Sequence, residues 1–102
     1  MPISRLAFVL CLTLFASGAA VAADVRNGEA LAKRWCSTCH VVARDQTTTT
    51  GEAPPFTTIA KMPDLDAAKL VLFLLSPHPK MPDMGLSRGA AEDLAAYISS
   101  QK

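Results

Sequence analysis

The sequence predicts an all-α fold. Three segments of helix length carry apolar residues three and four positions apart, and no segment shows period-two alternation bounded by turn residues. The chain has 102 residues, enough for one domain, since domains usually run to about 100–150 residues. Ten basic residues stand against nine acidic ones, a formal charge of +1. That balance excludes a nucleic-acid binder held by phosphate attraction, which needs a strong basic excess. It equally excludes an acidic disordered tail.

The first element, Met1 to Ala23, reads as a secretory signal. Arg5 is its one charge, an apolar run spans Leu6 to Ala16, and small residues fill Ser17 to Ala23. A positive start, a short apolar run and a small-residue exit are the three parts read by the export machinery. Cleavage fits after Ala23, and almost as well after Ala22. The run falls short of the roughly 20 apolar residues of a comfortable membrane span, so membrane attachment is expected only if the leader stays uncleaved. Cys11 lies inside the apolar run and leaves with the leader.

Removing residues 1–23 from 102 leaves 79, with nine basic and nine acidic residues and two cysteines, Cys36 and Cys39. Chains of this size usually need a disulfide, a metal or a cofactor to complete the core. The expected compartment is oxidising, yet two cysteines make no disulfide framework.

The first predicted helix runs from about Val25 to Cys36, with Asp24 as N-cap and Val25, Gly28, Leu31, Ala32 and Trp35 on one face. Val41 to Lys61 follows as a loop, containing Thr47–Thr50, Gly51 and the Pro54-Pro55 pair. A structureless stretch of that length counts against an ordinary core unless it wraps something. The second helix is predicted from about Asp64 to Ser76, apolar all round from Leu70 to Leu75 and therefore expected to be fully buried. Pro77 and Pro79 stop it. After the irregular Pro79–Gly85 stretch, a third helix is predicted from Ser87, its N-cap, to about Gln101, with Ala90, Ala91, Leu94, Tyr97 and Ile98 on its apolar face.

The strongest signal is Cys36-Ser37-Thr38-Cys39-His40. Cys-x-x-Cys-His is the covalent attachment motif of c-type haem. Two thiols three residues apart sit on one helical turn and reach the two vinyl groups of a haem, and the next residue offers an imidazole to the iron. A methionine thioether is the usual second axial ligand of an electron carrier.

With this motif ending a first helix, prolines downstream, a late Met-Pro and an amphipathic C-terminal helix, the mature chain resembles a class I cytochrome c of the short bacterial monohaem type. The resemblance implies a small helical bundle wrapped around one covalently bound haem c, with the N- and C-terminal helices crossing. It implies that Cys36 and Cys39 attach the haem, that His40 is the proximal iron ligand and that Met81, in Lys80-Met81-Pro82, is the distal one. Met84, Met62 and His78 are the rival distal ligands. Pro54, with Pro55 as alternative, is implied as the carbonyl acceptor of the His40 imidazole proton, a contact that fixes the ring and tunes the iron. Gly28 corresponds to the small residue that lets the first helix approach the last, with Tyr97 and Leu94 as its contacts. Where the family often has an aromatic, four residues before Cys36, this chain has Ala32.

The function implied is that of an exported carrier, located in the periplasm, moving single electrons between protein redox partners, not an enzyme. The donor would be a dehydrogenase or cytochrome complex and the acceptor an oxidase or reductase; no nucleic acid is involved. The alternative is the electron-accepting haem subunit of a periplasmic dehydrogenase or oxidase. A Cys-x-x-Cys thiol–disulfide pair would call for a βαβ pattern, which is missing. A zinc site from Cys36, Cys39, His40 and His78 would force adjacent residues onto one ion. Trp35 and Phe73 read as haem lining or plain core, and Phe56 has the better claim to the haem. Lys33, Arg34, Arg44, Lys61, Lys69 and Lys80 form either a docking face or ordinary solvated surface.

Overall fold

The computed structural model describes residues 22–76 and 79–102. The leader through Val21, together with Pro77 and His78, lies outside the described residues. Four helices follow in order: Val25–Trp35 (α1), Phe56–Ala60 (α2), Ala67–Leu75 (α3) and Arg88–Ser99 (α4). Among the described residues there is no β-strand.

α1 starts where its cap dictates. The Asp24 carboxylate accepts from the amides of Arg26 at 3.0 Å and Asn27 at 3.1 Å, satisfying donors that the first turn leaves unpaired. Glu29 and Lys33, one turn apart, pair at 3.0 Å on the exposed side. The expected apolar stripe is narrower than its spacing suggests. Gly28 and Ala32 are buried, whereas Val25 and Trp35 face solvent. Trp35 is 49% exposed, and the Arg34 guanidinium lies 5.1 Å from its ring centroid. It is thus not part of the protein core.

α4 is the centre of the core. Ser87 caps it, its hydroxyl accepting from the Ala90 amide at 3.1 Å. Ala91, Leu94, Ala95, Tyr97 and Ile98 are buried, so Ala95 joins the face and Ala90 sits at its edge. α1 crosses this helix at Gly28. A Cβ built on Gly28 would lie 2.0 Å from the Asp93 carbonyl oxygen and 2.8 Å from Tyr97 Cβ. The nearest atoms at the crossing thus come from Asp93 and Tyr97. Asp93 also fastens the crossing through its side chain: one carboxylate oxygen accepts from the Asp24 amide and the other from the Asn27 side-chain amide, both at 2.7 Å. Ala32, one turn further along α1, is fully buried.

α3 begins later than predicted. Asp66, not Asp64, is the cap, accepting from the Lys69 amide at 2.8 Å, and Met62–Leu65 forms a turn instead. The expectation of full burial fails. Leu70 and Val71 are buried against α4, but Leu72 is 63% exposed and Phe73 48%. A nine-residue helix packed on one neighbour can bury only the stripe that faces it, whatever its remaining residues are. An open groove of about 440 Å³ runs between α3 and α4, lined by Ala67, Val71, Leu72, Ala95 and Ala96, with Ala23 also on its wall. Among the described residues no helix is long and apolar enough to cross a membrane.

Candidate functional site: the haem-attachment segment

α1 ends by design of its sequence at the motif. Cys36 is its C-cap, its amide donating to the Ala32 carbonyl at 2.9 Å. The chain then folds into a tight turn, because the amides of Cys39 and His40 both donate to the Cys36 carbonyl, at 3.3 and 3.0 Å. This brings Cys36, Cys39 and His40 onto one turn. Both cysteines are unpaired and half-buried. Burial pushes the Cys36 thiol up to about 11, which keeps it as neutral SH.

The long loop is neither unstructured nor idle. From Cys36 to Val42 every backbone carbonyl has a donor. The turn itself satisfies Cys36. Thr38 accepts from the Thr50 amide and the Thr49 hydroxyl, Cys39 from the Ala53 amide, and Val41 from the Phe56 amide. Ser37 and His40 both accept from the side-chain amide of Gln46, and Val42 accepts from the Tyr97 hydroxyl at 2.5 Å. Residues 46–56 thus wrap the motif, which resolves the objection to a loop of this length. The Thr-rich run has its use here, and Gly51, at φ 69°, supplies the left-handed residue that turns the chain back.

His40 is held on two sides. Its Nδ1 donates to the Pro54 carbonyl at 2.6 Å, which makes Nδ1 the protonated nitrogen and leaves Nε2 with its lone pair. The Phe56 ring, buried at the start of α2, lies 5.2 Å from the imidazole centroid and 6.2 Å from Tyr97. α2 was not legible in the sequence; it exists because Pro55 opens a single turn that seats Phe56 in the core. Met81 and Met84 are half-buried in the separate Pro79–Gly85 loop, and Met62 is exposed. The structure therefore gathers Cys36, Cys39, His40 and Pro54, and leaves Met81 on another segment. Among the candidate docking cations, Lys33 is engaged by Glu29, Lys69 by the Asp64 carbonyl and Arg34 by Trp35.

Tyr97 connects this segment to the core and gives a pH signature. Burial, then the negative charge of Glu29, raises its hydroxyl above the ordinary value of 10.0. A raised folded-state value means that its contribution is fully present below pH 10 and is lost as pH climbs through the folded value. In Tyr97→Phe the Val42 carbonyl loses its donor, which costs about 1–3 kcal/mol at neutral pH. Chemical denaturation across pH 7–11 should show that penalty at neutral pH and its shrinkage on the alkaline side.

The donor set suits a covalently held haem: two free thiols on one turn, and a half-buried imidazole whose unprotonated nitrogen has no partner among the described residues. Among those residues no cluster of three or more His, Cys, Asp or Glu offers a rival metal site.

Comparison with known proteins agrees. The family model described as Cytochrome C oxidase, cbb3-type, subunit III matches residues 23–98. A relative, cytochrome c-552 of Bradyrhizobium diazoefficiens, is 50% identical over 94 residues, covering 89% of this chain and 90% of the relative. No solved structure gives a significant match. The chain belongs to this cytochrome c family: it is a small class I c-type cytochrome, a monohaem electron carrier with haem c as its covalent, iron-containing cofactor.

Proposed function

We propose that residues 24–102 form an exported carrier that passes single electrons between larger protein redox partners in the periplasm, after removal of a leader at Ala22 or Ala23. Cys36 and Cys39 carry the thioether links, His40 Nε2 is the proximal iron ligand and Met81 the distal one. The observation that carries this reading is the bond from His40 Nδ1 to the Pro54 carbonyl at 2.6 Å, within a turn that also presents both thiols.

The haem supplies the one-electron couple. The protein's own work is to hold its ligands still and keep water away. Pro54 fixes the tautomer and orientation of His40 and makes its other nitrogen a better donor. Phe56 walls the ring on one side without offering a polar atom. Pro82 stiffens the backbone after Met81 and removes a competing N–H. Carrier function also asks for brief contacts, which small redox interfaces provide.

The test is spectral and chemical. Protein purified from periplasm should show the sharp reduced-state bands of haem c, and the colour should stay with the polypeptide after acid–acetone extraction. Haem that extracts freely contradicts the thioether assignment. Co-purification in fixed stoichiometry with a larger oxidase or dehydrogenase would favour the alternative of a resident subunit.

A further inference from the structure

The Gln46 side chain does more than any other in the loop, and neither the motif nor the ligand set accounts for it. Its carbonyl oxygen accepts from the Val42 amide at 2.8 Å. Its NH₂ group faces three backbone carbonyls: Ser37 at 2.9 Å, His40 at 2.8 Å and Thr48 at 3.0 Å. That arrangement fixes which end of the amide is which, because the opposite orientation would aim oxygen at three oxygens. Two hydrogens shared among three acceptors leave no donor capacity unused.

Two of the partners, Ser37 and His40, lie inside the Cys-x-x-Cys-His turn. A third, Val42, is the next residue but one, and the fourth, Thr48, belongs to the wrapping loop. The turn cannot satisfy these groups itself. Its Cys39 and His40 amides are both spent on the Cys36 carbonyl and its Cys36 amide on Ala32, so without Gln46 the Ser37 and His40 carbonyls must find water or move. Movement at His40 is felt at once by its ring, because the imidazole is held by a carbonyl on the far side of the same loop, at Pro54.

We propose that Gln46 is the positioning residue of the proximal ligand: it locks the backbone of the attachment turn to the wrapping loop, and thereby keeps the His40 Nδ1–H on Pro54. The proposal rests on the reading of His40 as the haem ligand given above. The bond to Pro54 strengthens electron donation by the other ring nitrogen. A ring that spends less time on Pro54 is a poorer donor, which favours the reduced state.

The experiment uses the haem-loaded protein and three variants. Gln46→Ala removes all four bonds. Gln46→Asn keeps the amide but is one methylene shorter, so it is expected to recover part of the effect. Ser87→Ala, which removes the cap of α4 and touches none of these four bonds, controls for general destabilisation. Three quantities are read: the thermal midpoint, the reduction potential and the solvent-exchange rate of the His40 Nδ1–H proton by NMR. Gln46→Ala should speed that exchange at least tenfold and raise the potential, with Gln46→Asn between it and wild type. Ser87→Ala should lower the thermal midpoint and leave the other two unchanged. Should Gln46→Ala fail to mature, Gln46→Asn decides alone. A lowered thermal midpoint with wild-type exchange and potential reduces Gln46 to a structural residue and overturns the proposal. Wild-type protein lacking covalent haem overturns the ligand reading itself, a result distinguishable because it appears before any substitution.

Discussion

Gly28→Val should abolish the native crossing of α1 and α4. Even the first side-chain carbon would stand 2.0 Å from the Asp93 carbonyl oxygen and 2.6 Å from its carbonyl carbon, and both are backbone atoms. A flexible side chain could swing aside; a helix backbone cannot. α1 would have to lift from α4, stretching the paired bonds of Asp93 to Asp24 and Asn27 and opening the contact beside Tyr97. Overpacking costs about 1–3 kcal/mol where side chains can adjust, and a clash against main chain lies at or beyond the top of that range. Small domains hold only about 5–15 kcal/mol in total. Gly28→Ala should already lower the thermal midpoint sharply, and Gly28→Val should yield little folded, haem-loaded protein. Expression yield and circular dichroism report both outcomes. An unchanged midpoint for Gly28→Ala would mean that the helices do not meet at this residue.

Met81→Ala should change what the iron can bind. With Met81 as distal ligand, the wild-type ferrous protein resists carbon monoxide, whereas the variant takes it up readily and its reduction potential falls, since thioether ligation favours the ferrous state. Met84→Ala should do neither. Rapid uptake by the wild type, or a response confined to Met84→Ala, would remove Met81 from the ligand set. The two substitutions separate the methionines without disturbing α3 or α4, because both lie in the loop between them.

How far the sequence revealed this molecule depended on the range of the forces involved. α1 and α4 were legible because Asp24 and Ser87 cap them from one residue away. The Cys36–His40 motif was legible because its chemistry is local. The start of α3 was missed because two aspartates, Asp64 and Asp66, could each have capped it, and only the fold decides which does. Its burial was misjudged because composition reports how apolar a helix is, not how many neighbours it has. Asp93 and Gln46 gave no signal. One is an ordinary helix-surface acid by its spacing and the other a polar residue in a threonine-rich loop. Both matter through bonds to residues distant in the sequence or to backbone atoms, and such bonds leave no periodic trace.

Ala23 borders the groove between α3 and α4, a wall that contains none of Cys36, Cys39, His40 or Met81. The described chain therefore begins against this groove, whose lining shares no residue with the proposed ligand set. Substitutions along this groove wall should thus leave the proposed ligands of the iron in place.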